Sequence, residues 1–474
     1  MNILKSWELT RRHMLHRSSQ LAVAGTAASY AMGLAGLGEA AAVTGQGEYK
    51  ALVCIFLTGG NDHSNTLVPF DSANHAAYAS IRGSLAIPRE SLVATALRTP
   101  DDQQLTNGIQ YALAPTMPRL KALYDQGAAA ILLNVGPLIA PLTKAQYMSE
   151  NLVANPRPAK LFSHNDQQST WQSSAPEGAS HGWGGRIGDI LQSVNQNAMF
   201  TNINATGNAV FLSGRSVSPF RVALSGATSA RPLNSSRLFD SDLAGTALAS
   251  IIGSHHQHVF EQDYARMTDR SIRYGSFVND ALRSVTVSTP FPAGNNLAAQ
   301  LRIVARLIAA RRSLGVRRQV FMVSLNAFDT HKGLANTHPG LLEEVDAAID
   351  AFYKATVELG VAELVTTFTA SDFGRTLTSN GDGSDHGWGS HHFIVGGDVN
   401  GGRYYGRAPV TSITSDDQVG QGRLLPTTSV DEYSTTLALW MGIPPSELPT
   451  IAPNIGRFAS ANIGFMTRPK PSAA

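Results

Sequence analysis

Four short apolar runs, each bounded by glycine or polar residues, constrain this chain more than any other feature. They read ALVCIFL (51–57), AAILLNVG (129–136), RQVFMVSL (318–325) and AELVTTFTA (362–370). Continuous apolar runs of this length suit strands buried on both faces. Between them lie segments of helical period. PTMPRLKALYDQG (115–127) has proline near its start and glycine at its end, the usual punctuation of a helix. NLAAQLRIVARLIAARRSLG (296–315) repeats apolar residues at helical spacing, and LLEEVDAAIDAFYKATVELG (341–360) sets Leu342, Val345, Ile349 and Phe352 on one face. Strands alternating with helices predict an α/β three-layer sandwich around a mostly parallel central sheet. Residues 205–290 are less periodic and richer in Ser and Asn, and read as an insertion or cap over that sheet.

In such a sheet, ligands bind beyond the carboxyl ends of the strands, so the segments that follow the runs carry the information. The first is followed by TGGNDHSNTLVP with Asp62 and His63, and the second by a long loop ending in LFSHNDQQSTW with Ser163 and His164. The third leads into NAFDTHKGLANTHPG with Asp329, His331 and His338. The fourth leads into SDFGRT with Asp372 and Arg375, and then into SDHGWGSHH (384–392). Carboxylates and imidazoles are thus expected at one edge of one sheet.

Asp and His together, without Cys, suit zinc, manganese or iron better than calcium. Asp329 and His331 lie two apart, on the same side of an extended segment. His386 is the best ligand in the glycine-rich loop, with Asp385 beside it as a ligand or as the carboxylate that orients one. His391 and His392 begin a strand-like run, HHFIVGG. Alternation sends them to opposite faces, so only one of them can reach the site, and the other reads as a structural histidine. Ser163 stands before a helix with Asp166 three residues on, so it caps that helix or serves as a nucleophile at an anion-favouring N-terminus. Ser169 and Thr170 lie a turn or more inside the helix. Arg375 clamps an oxyanion or pairs with a neighbouring carboxylate. Trp388 walls the pocket or packs, and GGDVNGGRYYG (396–406) reads as a hairpin or loop without chemistry of its own.

The first 42 residues read as an export signal. LTRRHML (9–15) carries a twin-arginine pair, followed by a weakly apolar Ala- and Gly-rich run at 21–38 and then Ala40, Ala41 and Ala42. That run is too short and too weakly apolar for a membrane anchor. Its loss removes Lys5, Arg11, Arg12 and Arg17 against Glu8 and Glu39. Lys plus Arg then falls from 37 to 33, and Asp plus Glu from 35 to 33. The remaining chain, 43–474, reads as one near-neutral domain. It has no basic stripe with interleaved aromatics, which argues against nucleic acid as a partner. The lone cysteine, Cys54, sits inside an apolar run and reads as a small buried hydrophobe.

Taken together, FLTGGNDHSNTLVP, LFSHNDQQSTW, FDTHKGLANTHPGLL, ASDFGRTLTSNGDGSDHGWGSHHFIVGG and VNGGRYYG resemble the exported bacterial proteins of domain of unknown function 1501. That family looks like a branch of the alkaline phosphatase and sulfatase superfamily, whose members hydrolyse or transfer phosphate and sulfate esters. APTMPRLKALYDQGAAAILLNVG (114–136) is similar to the sulfatase segment after the first metal-binding strand. The resemblance implies that Asp62 and Asp372 serve one metal position and that Asp329, His331 and His386 serve the other, with Ser163 near the nucleophile position. The chain departs from the pattern in three places. It lacks the C/S-x-P-x-R motif of sulfatases. The Asp-to-His interval is two rather than four, and Ser371-Asp372-Phe373 replaces an adjacent Asp-His pair.

Two functional classes follow. One is a periplasmic or secreted hydrolase using one or two divalent transition metals on a small anionic ester, with Ser163, His164 and Arg375 as catalytic groups. The other is a non-catalytic descendant that binds a ligand or partner in the same cleft. No haem motif, cysteine cluster or dinucleotide fingerprint supports a redox protein.

Overall fold

The computed structural model describes residues 48–466 apart from 208, 228–240 and 255–256. The twin-arginine segment and the 1–42 boundary lie outside the described residues. The apolar runs form strands β1 (Lys50–Leu57), β2 (Ala129–Gly136), β6 (Arg318–Leu325) and β7 (Val365–Ser371). Shorter strands complete the sheet: β3 (Asn202–Asn204), β4 (Phe220–Ala223), β5 (Gly226–Ala227), β8 (Ser390–Gly396), β9 (Tyr404–Tyr405) and β10 (Thr428–Ser429). Their order is β9-β2-β8-β7-β1-β6-β3-β4-β5, with β10 also pairing with β2. Only β8 and β5 run against the others. A two-stranded sheet, Leu67–Pro69 with Tyr111–Leu113, lies apart.

Helices cover both faces. Alternate residues of β1 (Ala51, Val53, Ile55 and Leu57) join a core with α1 (Pro118–Asp125), α3 (Asn296–Ala309) and α4 (Leu334–Glu358). α2 (His164–Ser173) follows α1 in the chain. On the opposite face, Tyr433 of α5 (Val430–Met441) packs on Phe368 of β7. This is the expected three-layer α/β sandwich. Cys54 is buried in mid-strand, and burial pushes its thiol pKa well up. Among the described residues no helix is long and apolar enough to cross a membrane.

Two boundaries differ from expectation. The fourth run starts pairing only at Val365, because 362–364 form a 3₁₀ turn. α4 starts at Leu334 and carries Pro339 inside it. A proline there removes one i to i−4 bond, and the helix absorbs that loss by burying Leu334, His338, Leu341 and Leu342. Within 205–290, the described residues add β4 and β5 at one edge of the sheet, followed by helices Asp242–Gly253 and Val259–Arg283. The C-terminal end of the second helix sinks Val278, Ala281 and Leu282 into the core.

Candidate metal centre

Register brings the site together. β1 pairs with β6 and β7 so that Leu57 lies opposite both Leu325 and Ser371. Three parallel strands therefore end at one level, and the segments carrying Asp62, Asp329 and Asp372 leave side by side. Gly59, at φ +115°, lets the first segment close on the third: a Cβ there would stand 2.4 Å from the Asp329 amide nitrogen. The glycine-rich loop closes in the same way, since a Cβ on Gly383 would lie 2.4 Å from the His331 backbone. Two non-glycine residues flanking the site occupy the left-handed region, Ala327 at φ 81° and Phe162 at φ 72°. Each such residue costs about 1–3 kcal/mol and persists only where its surroundings enforce it.

Asp329 Oδ1, His331 Nε2 and His386 Nε2 converge. The two nitrogens are 2.8 Å apart, and they stand 3.2 and 3.4 Å from the carboxylate oxygen. Their side chains are 45%, 40% and 24% exposed, so the cluster is open to solvent on one side. The far nitrogens fix the tautomers. His386 Nδ1 lies 2.7 Å from the Phe162 carbonyl, which can only accept, so this nitrogen carries the proton. His331 Nδ1 faces the Asp385 carboxylate at 3.3 Å and donates in the same way. In the neutral rings both Nε2 atoms then hold bare lone pairs, which repel at 2.8 Å unless a proton or a metal cation lies between them. A tetrahedral ion with bonds of about 2.0–2.1 Å sets its ligands about 3.3 Å apart; the two nitrogen–carboxylate distances match this, and the two nitrogens stand closer, at 2.8 Å. The donor set fits a divalent transition metal, and Phe162 and Asp385 hold the orientation of the two imidazoles.

The remaining expected residues group around this centre. His164 Nδ1 donates to Asp372 Oδ2 at 2.7 Å, and Gln168 Nε2 donates to the same oxygen at 2.8 Å. His164 Nε2 stands 3.5 Å from Asp329 Oδ2 and is buried without a hydrogen-bond partner. His164, Asp329 and His386 offer ligand atoms within 4.8 Å of one another. The hydrogen bond to Asp372 raises the pKa of His164 against the opposing pull of burial. Burial lowers that of His386. For Asp329, burial works upward but the Arg375 hydrogen bond and charge prevail, and the carboxyl stays below its ordinary range.

Several expectations change. Arg375 is fully buried and gives its donors to Ser384 O and Oγ, Gly59 O and Asp329 Oδ1. Of its two readings the carboxylate pairing holds. A guanidinium spent inside the protein does not clamp a substrate oxyanion. Ser163 precedes α2 as expected, but its hydroxyl makes no capping bond to the backbone and instead donates to Asp166 Oδ2 at 3.0 Å. Asp62 forms a fully buried ion pair with Arg82. Arg82 also bonds Asn65 Oδ1 and the carbonyls of Thr376 and Leu377. One oxygen each of Asp62 and Asp372 is buried without a partner, while the other is already taken, by Arg82 in the first case and by His164 with Gln168 in the second.

Alternation allows one of His391 and His392 to reach the cluster; among the described residues neither contacts it. His391 Nδ1 accepts from the Asn134 amide, and its ring packs edge-on to His63 at 5.1 Å. His392 lies 4.8 Å from Trp171 and 3.3 Å from the Thr369 hydroxyl. Both are residues of β8, inside the sheet, whereas the cluster lies beyond the strand ends. Trp388 packs with Leu138 and Leu425 and donates to the Pro137 carbonyl.

Three residues that matter here escape sequence reasoning: Gln168, Arg82 and Arg423. Gln168 was within reach, because it follows His164 by four residues and so shares its helical face. Arg423 donates to the His386 carbonyl at 2.7 Å and covers the Phe162 ring, and no local pattern marks it. Arg82, at the end of an ordinary surface helix, is equally silent.

The family described as a protein of unknown function, DUF1501, matches residues 49–450. No curated protein matches the chain. Solved structures align at low similarity. A Bacteroides thetaiotaomicron protein described under the metabolism of multiple glycosaminoglycans is 12% identical with a TM-score of 0.33, over 84% of this chain and 74% of that one. The lipoteichoic acid synthase LtaP from Listeria monocytogenes is 9% identical with a TM-score of 0.30, over 86% and 78%. Ps i-CgsB is 11% identical with a TM-score of 0.32, over 89% and 75%.

Proposed function

The chain belongs to the DUF1501 family, and from that premise we propose that it is an exported metal-dependent hydrolase of small phosphate or sulfate esters. The observation that carries this reading is the convergence of Asp329 Oδ1, His331 Nε2 and His386 Nε2, with both Nδ1 atoms turned outward to acceptors. Zinc, manganese and iron all suit this donor set. Bound there, a divalent ion supplies Lewis-acid polarisation of the ester oxygen.

The chain's own groups do the rest. Ser163 follows Phe162, whose carbonyl accepts from the outer nitrogen of His386, so the residue stands one peptide from a bond to that ring. Its Oγ hydrogen is donated to Asp166, which would take the proton as the oxygen bonds to phosphorus or sulfur and the ester alcohol leaves as its anion; water would then release the bound group and restore the hydroxyl. The N-terminus of α2 favours the negative charge of the ester. Arg375 acts on Asp329, holding the carboxylate in place. Residues 1–42 are proposed as the twin-arginine signal and 43–474 as one domain with 205–290 inserted, which would put the activity in the periplasm or outside the cell.

A binding-only descendant is the second reading. It is favoured by the commitment of Arg375 and Arg82 to internal partners, which leaves neither to grip an anion. Elemental analysis of protein exported by its native host, paired with hydrolysis of a generic aryl phosphate and aryl sulfate, separates the two. Stoichiometric metal with turnover supports the hydrolase. Less than about a tenth of an equivalent of every candidate metal, with no gain on reloading, leaves only the binding reading.

A further inference from the structure

We infer that His164 is a fourth protein ligand of this metal centre, and that Asp372 serves as the carboxylate that orients it. The inference rests on the metal reading above and assigns two residues that reading leaves without a role toward the ion. Three observations carry it. His164 Nδ1 is engaged by Asp372 Oδ2 at 2.7 Å, so in the neutral ring Nε2 is the bare nitrogen. That Nε2 is buried and without a hydrogen-bond partner, 3.5 Å from Asp329 Oδ2, the second oxygen of the carboxylate whose first oxygen meets His331 and His386. The His164 and His386 rings stand edge to face, 4.3 Å between centroids. All three imidazoles thus have one nitrogen bonded to a carboxylate or carbonyl oxygen and the other turned toward Asp329.

A carboxylate behind a ligating imidazole fixes its tautomer and makes it a stronger donor. Asp372 is itself held by Gln168, four residues along α2 from His164, so one helical face presents both the imidazole and the amide that steadies its partner. The resulting set is three imidazoles and one carboxylate. It draws on the segments after β6 and β7 and on α2, so the ion would tie the start of that helix to the sheet edge.

The test uses the full exported chain, depleted of metal and titrated with Zn²⁺ against a chromophoric chelator. X-ray absorption of the zinc-loaded unaltered protein counts imidazoles, and three are expected. His164→Gln should weaken Zn²⁺ binding at least tenfold, and Asp372→Asn by about tenfold, the scale on which orienting partners act. A count of two imidazoles with one equivalent of Zn²⁺ bound overturns the inference and leaves the metal reading standing. So does a folded His164→Gln protein that binds as tightly as the parent. Failure of the unaltered chain to take up Zn²⁺ overturns both. The imidazole count needs no variant, so it decides the matter even where a substitution misfolds.

Discussion

Two groups of histidines, whose nearest members His386 and His391 are five positions apart, meet opposite fates. His386 stands in the loop beyond the strand ends with His331 and His164, each turning one ring nitrogen toward Asp329. His391 and His392 lie inside β8, closed in by His63, Trp171 and Asn134. Loss of hydration holds His63 down to about 4 and His392 to about 3. His164 moves the other way, raised by Asp372. The residue type is the same in both places. What differs is whether one nitrogen of the ring faces the Asp329 carboxylate.

The largest effect expected from a single substitution is on the packed side of this comparison. Trp388, fully buried and lying between His386 and His391 in the chain, should cost about 3–5 kcal/mol of stability on replacement by alanine. Chemical denaturation measures it, and a loss below about 1 kcal/mol would mean that coordination, not packing, holds the loop.

Activity should divide along the same line. His386→Ala or Ser163→Ala should lower aryl ester hydrolysis at least about 100-fold. His392→Asn and Cys54→Ala should stay within a few-fold per folded molecule. Full activity in Ser163→Ala would shift the mechanism to attack by water.

The buried group should show itself in acid. Unfolding lets His63 and His392 take up protons below their ordinary value of about 6.5, so the unfolded chain binds more protons than the native one. Stability therefore falls as pH drops from about 6.5 toward 4, by about 1.4 kcal/mol per pH unit for each ring. Thermal melts across that range check the slope, and His392→Asn should flatten it. An unchanged melting temperature from pH 7 to 4 would contradict neutral burial.

The smallest effect concerns the loop itself. Removing metal should speed hydrogen exchange about tenfold, roughly 1.4 kcal/mol, over 380–386 and not over 388–392, where Trp388 and β8 pairing hold the backbone. Equal loosening across 380–392 would erase the distinction between the two groups.

Much of the fold was legible in the chain. Short apolar runs predicted β1, β2, β6 and β7, because a strand buried on both faces needs apolar residues at every position. The strand-end rule then gathered Asp329, His331, His386 and His164 at one edge. Sequence reasoning failed where a partner comes from outside the local pattern. Arg375 looks free in the sequence, yet Gly59 and Ser384 take its donors. Asp62 looks like a ligand, yet Arg82 stands beside it. Alternation along β8 was correct as geometry, but it says which face a side chain takes and not how far along the strand the site begins.

Sequence alone determined the layered α/β architecture and the types of donor at the sheet edge, because hydrophobic period and residue chemistry are local properties. Tertiary structure decided which donors keep a free atom. Whether an imidazole nitrogen or a carboxylate oxygen is available depends on the hydrogen bonds its other atom makes, and those reach across more than 200 residues, from Phe162 to His386 and from His164 to Asp372.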